Sequence, residues 1–362
     1  MMNRIHRQSG AALVTVLLIL AVAIIIASEM SSRLFFGLTR TQILNNNQQA
    51  MWYAIAAEET AKRYLMDNFM KKDVVHLKQQ WATKLEKMPV DEGTLTAEVT
   101  DLQACFNLNA LSKPDPVKKA KKKQSGSSSN SSNKTSESER QRESSAKENE
   151  SQKSTRNPES IKMFKRLIEL LEIETEYTAE DLATRIYDWM DADGIPRNGS
   201  EDEDDYAALV YPYLPSNTLM SSESELRAVS GFHPAIYQKL RPYICVIPEE
   251  PSLLINVNTV PEDRPELIAA ILDIDKDEAS NIISNRGEEG YKDFGSIWSN
   301  NPSAVSGQDK EKYKAYFDVT SKHFKVDIKT EFDDGQFYLT SYIQITDEKK
   351  ANIIARRVGG PL

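Results

Sequence analysis

The densest run of chemistry-bearing side chains is DWMDADGIPRNGSEDEDDY, residues 188–206, which holds eight carboxylates. Asp188, Asp191 and Asp193 stand at i, i+3 and i+5, and Gly194 permits a tight turn. The chain then returns through Glu201, Asp202, Glu203, Asp204 and Asp205. So many like charges repel one another unless water or a cation screens them. Hard oxygen donors at D-x-D spacing suit Ca2+, which takes roughly six to eight oxygens in flexible geometry. The EF-hand pattern, with its twelfth-position glutamate and set intermediates, is not met from Asp191. A solvated acidic loop and a cation-holding loop both fit these residues. A paired-carboxylate hydrolase does not, because no histidine, cysteine or nucleophile accompanies the cluster.

Cys105 and Cys245 are the only cysteines. In an oxidising compartment such a pair forms a disulfide closing a long loop, whereas in apolar strands the two thiols stay free and buried. The sequence leaves both readings open. The four histidines are scattered, and there is no phosphate loop and no nucleophile–base pair, so catalysis has no residues to stand on. With 45 basic against 54 acidic residues and a net charge of −9, the chain has no general attraction to nucleic acid or anionic lipid.

What must position these groups begins at residues 11–27, AALVTVLLILAVAIIIA, an uncharged run whose single hydroxyl is Thr15. As a helix it is roughly 26 Å long, just enough to cross a bilayer core. The polar leader MMNRIHRQSG carries Arg4 and Arg7, and positive charge before a first apolar helix stays cytoplasmic. The remainder therefore belongs on the far side of the inner membrane. A secretory signal would be cut after the run at a small-residue site, and IIIASEM offers no good one. That leaves a plain anchor or a prepilin-type leader cut between Gly10 and Ala11. The helical pattern does not stop at the membrane, which favours the second. Leu34, Leu38, Met51, Ile55, Tyr64, Leu65 and Phe69 recur at helical spacing without a proline, though Gly37 and Asn45 to Asn47 are places for the helix to loosen. One helix is predicted over about 11–70, its first half bare and its second half packed.

Leader and helix together resemble the pilin and pseudopilin superfamily. LQACFNLNAL, IYDWMDADGIPRNGSEDEDDY, SELRAVSGFHPAIYQKLRPYICVIPE and INVNTVPE, in that order, resemble the large minor pseudopilin, subunit K, of type II secretion systems. The resemblance covers nearly all the chain outside residues 117–157. It implies an α+β fold: a type IV pilin-like long N-terminal helix packed on an antiparallel sheet, with a large inserted all-helical domain containing helix-hairpin-helix-like units. Similar proteins bind calcium in this part of the helical domain, which favours a structural Ca2+ held by Asp188, Asp191, Asp193 and Asp202.

The rest of the sequence divides accordingly. Residues 1–10 read as leader, 11–28 as the membrane half of the helix and 29–112 as the first part of a pilin domain. From Gly93, TLTAEVTDLQACFNLNAL alternates as strands do, with Trp81 and Leu85 expected beneath the helix. Residues 113–157 hold almost nothing apolar and are expected to be a disordered insert. An inserted helical domain spans 158–315. It starts with an amphipathic helix facing its core with Met163, Phe164, Leu167, Ile168 and Leu171, followed by a helix capped at Thr178. Two helix-hairpin units follow; the second hairpin, LDIDKDEA, has no glycine and three aspartates, which would repel nucleic-acid phosphate. Asn107, Asn109, Asn256 and Asn258 are expected to tie off turns. Residues 316–362 read as a strand meander.

The resemblance implies a non-enzymatic subunit capping the pseudopilus tip and helping initiate its assembly. Implied partners are the I- and J-type minor pseudopilins, the major pseudopilin, prepilin peptidase and the inner membrane, with N-methylation at Ala11 and no nucleic acid. Pilins usually carry a glutamate where this chain has Thr15. A buried carboxylate without a partner is costly, so a subunit with nothing above it does without one. A type IV minor pilin and a helix-hairpin DNA-binding competence protein are the alternatives.

Overall fold

The structure, a computed structural model, describes residues 9–71, 74–91, 93–112, 159–192, 196–197, 200, 203–304, 307–332, 335–346, 348 and 350–360. Its spine is one helix, Ser9–Lys71, of 63 residues. Neither Gly37 nor Asn45 to Asn47 breaks it. No proline falls in this stretch, and the aliphatic residues of its first half are compatible with helix dihedrals throughout.

The packed half of this helix uses a face that the hydrophobic pattern does not mark. The buried positions are Ala50, Ala54, Glu58, Ala61 and Leu65, spaced by three and four. Of the large apolar residues at helical spacing, only Leu65 is buried, while Leu34, Leu38 and Tyr64 are exposed. The side chain of Phe69 lies outside the described residues. Small residues at the contact let a sheet approach the helix closely, so size rather than hydrophobicity marks this face.

The sheet has the order β1-β2-β7-β8-β9, formed by Leu85–Val90, Gly93–Asp101, His323–Phe332, Gly335–Ile345 and Ala351–Val358. All four pairings are antiparallel. Leu95, Ala97, Phe324, Val326, Ile328, Leu339, Ile343 and Ile345 form one core against the helix. Trp81 joins it, its ring edge-on to Phe324 at 5.2 Å. Leu85, expected beneath the helix, instead stands 39% exposed on β1. That edge strand falls within a stretch whose polar composition gave no strand signal. The Thr330 hydroxyl donates to Ala50 O at 3.0 Å, tying β7 to the helix backbone.

Between β2 and β7 the chain makes a second, larger core of helices. The first, Glu159–Leu170, buries Ile161, Met163, Phe164, Leu167 and Ile168. Ala179–Met190 follows, its Thr178 and Asp181 forming a reciprocal capping box. Pro234–Leu240, Glu266–Leu272, Lys276–Ser284, Phe294–Asn300 and Gly307–Tyr313 come later. The first hairpin unit opens on a 3-10 turn, Glu223–Ala228, and not on an α-helix. The turn runs between a Ser222 cap and Val229, whose N–H returns to Leu226 O. In the second hairpin Asp273 occupies the left-handed region, φ 54°. Aspartate tolerates this conformation, where glycine is the usual choice.

Candidate functional site

Three constructions stand out. The first is the free length of the long helix. From Leu13 to Leu44 its large apolar side chains are exposed, with Phe35 at 68% and Phe36 at 72%. This surface runs well beyond residue 27, so a bilayer alone would not cover it. The Thr15 hydroxyl turns back to Ala12 O at 2.9 Å.

The second is a polar junction between the sheet and the helical insertion. Asp101, at the end of β2, is 3% exposed. Its Oδ2 accepts from Thr259 Oγ1 and Ser321 Oγ, both at 2.5 Å, and Oδ1 accepts from Gln103 N at 2.8 Å. The asparagines noted in the sequence do more than close turns. Asn256 Oδ1 accepts locally from Asn258 N, while its Nδ2 reaches Val75 O at 3.0 Å and Ser321 Oγ at 2.7 Å. Asn109 donates to Met220 O and Ile247 O, and Asn258 exchanges two bonds with Tyr291. Two short parallel pairings reinforce the junction. β3, Phe106–Asn107, pairs with β4, Ile244–Cys245, and β5, Ile255–Asn256, pairs with β6, Phe317–Asp318. A disulfide joins Cys105 to Cys245 with Cα atoms 5.8 Å apart, packed among Leu102, Ile247 and Tyr342.

Burial raises the Asp101 carboxyl from its ordinary 3.8 to about 6, against the lowering effect of the two hydroxyls. Because the folded value exceeds the unfolded one, the folded chain holds the proton more tightly. The Asp101 contribution to stability is therefore greatest at low pH and falls as pH rises between the two values, by about 3 kcal/mol at most. In urea melts from pH 4 to 7, Asp101→Asn should remove this component from the wild-type profile. Superimposable profiles would show that the carboxyl titrates normally.

The third is the acidic loop. Asp188 sits in the last turn of Ala179–Met190, its side chain 7% exposed, and Asp191 is the C-cap. Asp188 Oδ2 accepts from Arg197 N at 2.8 Å, and Oδ1 lies 3.6 Å from Arg197 Nε. The Arg197 guanidinium also stacks on Tyr187 at 3.7 Å. Burial pushes the Asp188 carboxyl up, with the Asp191 charge adding to it, while the contacts from Arg197 pull it down. Asp193 and Asp202, the other two candidate ligands, lie outside the described residues, as do Gly10 and Ala11 except for their helical backbone. No group of three or more His, Cys, Asp or Glu converges as a metal cluster among the described residues. Of the four candidate ligands, Asp188 and Asp191 are the two among the described residues. A desolvated carboxylate and a second one beside it stand at a helix C-terminus, where the dipole attracts positive charge.

The chain thus combines a bare apolar helix, a helix-covered meander and a helical insertion between its second and third strands. Two family models described as type II secretion system protein K match residues 104–249 and 255–320. The chain belongs to the type II secretion system protein K family. It is a minor pseudopilin of such a system. It is 36% identical to the type II secretion system protein K of Aeromonas hydrophila, with 98% of each chain covered. To that of Dickeya chrysanthemi it is 35% identical, again with 98% of each covered. The fold matches a chain in the crystal structure of the GspK-GspI-GspJ complex from enterotoxigenic Escherichia coli, with a TM-score of 0.71 at 23% identity. That match covers 89% of this chain and all of the other.

Sequence reasoning missed the Glu58–Ser341–Arg356 cluster. Glu58 is fully buried in the long helix, where it accepts from Arg356 Nε at 2.8 Å and Nη2 at 2.6 Å and from the Ser341 hydroxyl. The available signal was a single glutamate inside the alanine-rich stripe Ala50, Ala54, Ala61.

Proposed function

We propose that this minor pseudopilin caps the tip of the periplasmic pseudopilus and helps initiate its assembly, serving export of folded proteins across the outer membrane. The observation that carries the reading is the pairing of the bare helix with its hydroxyl at position 15. The exposed apolar surface calls for neighbouring helices to cover it, and Thr15 presents no carboxylate to a subunit above. The partners are the I- and J-type minor pseudopilins and the major pseudopilin. Prepilin peptidase cuts between Gly10 and Ala11, and Ala11 becomes the methylated first residue. The helix crosses the inner membrane once, with the folded part in the periplasm. The subunit performs no catalysis.

N-terminal sequencing of the mature chain tests the processing and should begin at Ala11; a start at Met1 or beyond residue 27 contradicts it. Gold labelling of the subunit on isolated pseudopili tests the cap. Label should mark one filament end, and label along the shaft is incompatible with capping.

Asp188, Asp191, Asp193 and Asp202 hold a structural Ca2+, whose charge would offset the desolvated carboxylates and fix the turn after Ala179–Met190. A ligand bound only by the folded state raises stability with its concentration. Excess Ca2+ should therefore raise Tm relative to chelator, and Asp188→Asn should abolish the difference. Identical melts of the wild type in Ca2+ and in chelator would remove the ion from the account.

A further inference from the structure

On the sheet face turned away from the long helix, Lys325, Asp327 and Lys329 of β7 alternate with the buried Val326 and Ile328. This face and the helical insertion enclose a cleft of about 260 Å3. Glu223, in the 3-10 turn, and Arg241, the C-cap of Pro234–Leu240, reach it from the insertion, and Arg357 of β9 reaches it from the sheet. Arg357 Nη1 bridges the two sides by donating to the Ser222 hydroxyl at 3.3 Å.

The lysines of the cleft already have partners. Lys84 lies 3.6 Å from Glu98, Lys325 3.1 Å from Asp327 and Lys329 2.5 Å from Glu331. That leaves two arginines to one carboxylate, Glu223, and neither arginine has a carboxylate within ion-pair distance among the described residues. Two buried donors there also lack acceptors. The hydroxyl of Tyr342, a residue 3% exposed, and Arg357 Nε have no hydrogen-bond partner. Tyr342 lies two residues along β8 from Thr340, the cleft residue that pairs with Arg357. Burial, with the Glu223 and Asp327 charges, pushes the Tyr342 phenol up to about 12 against the Arg357 charge, so at neutral pH it keeps its proton and donates. Buried donors without acceptors are costly, and these call for an oxygen.

We propose that this cleft binds a single oxyanion group, carboxylate or tetrahedral, held by the Arg241 and Arg357 guanidiniums with the Tyr342 hydroxyl as a buried third donor. Guanidinium forks match the oxygens of such groups, and one negative charge cancels the excess of two arginines over Glu223. A cation is disfavoured because the unmet groups are donors only. Arg241 belongs to the insertion and Arg357 to the sheet, so the bound group clips one to the other.

Equilibrium dialysis of the full-length chain in detergent against radiolabelled sulfate or acetate, at neutral pH and constant chloride, tests the site. Acetate stands for the carboxylate of a protein side chain and sulfate for a tetrahedral ion, and the tighter of the two identifies the source. At least one should bind saturably, one per chain. Arg241→Gln and Arg357→Gln should each weaken it roughly tenfold or more, and Tyr342→Phe several-fold. Lys329→Gln, whose charge Glu331 already holds, should leave binding unchanged. No saturable binding of either probe overturns the proposal, as does binding that survives both arginine substitutions. An equal loss in Lys329→Gln would mean diffuse attraction and would also overturn the site. Arg241 is exposed, so Arg241→Gln decides the matter if Arg357→Gln or Tyr342→Phe fails to fold.

Discussion

Replacing Cys105 and Cys245 together by serine should lower the unfolding free energy by about 5 kcal/mol, the largest single effect expected from this chain. The bond spans 140 residues of sequence. In the chain-entropy description a cross-link of that length removes about 5 kcal/mol worth of freedom from the unfolded ensemble. Its position follows from the backbone pairing: Cys245 lies in β4, already paired to the segment just after Cys105. The bond thus staples the start of the helical insertion to its middle, beside Tyr342 of β8. Urea unfolding of the oxidised wild type, the reduced wild type and the double variant measures the effect. Reduced wild type and double variant should agree, both well below the oxidised protein. Three coincident curves would mean that the bond constrains nothing.

The second expected result concerns Glu58. Arg356→Ala should destabilise the packing of helix on sheet by about 3 kcal/mol, because it leaves a buried carboxylate without its counter-charge. The figure sits at the low end of the usual range because the Arg356 side chain is 49% exposed and water partly replaces it. Glu58→Gln should be milder than Arg356→Ala, since the amide is neutral and Ser341 still has an oxygen to meet. Burial would push the Glu58 carboxyl up, but the Arg356 and Ser341 hydrogen bonds, with the Arg356 and Lys62 charges, outweigh it and hold it below its usual value. A folded value below the unfolded one contributes stability that is complete above about pH 4.5 and lost as pH falls through the folded value. Asp101 acts in the opposite sense. A double-mutant cycle over Glu58 and Arg356, run at pH 7 and pH 3, separates the pair from the rest. A coupling energy near zero at pH 7 would show that the contact is incidental.

Much of this molecule was legible before its structure. A run of uncharged residues long enough for a bilayer, followed by proline-free helical spacing, dictates a continuous helix through local propensity and periodicity alone. Alternation with the short turn signals DDGQ, residues 333–336, and DEKK, residues 347–350, likewise places β7, β8 and β9. Thr178 and its acidic neighbours mark a helix start because capping chemistry is confined to one turn.

What the sequence could not reveal depends on distance in space. The face of the long helix that meets the sheet is marked by alanines, and an alanine reads the same whether it admits a neighbour or merely fills a turn. β1 was invisible because an edge strand exposed on both sides needs no alternation. The fate of Cys105 and Cys245, the pairing of Glu58 with a residue 298 positions away and the desolvation of Asp101 are products of long-range packing. Periodicity reports only which residues avoid water; the partners they meet there are set when helix, sheet and insertion close on one another.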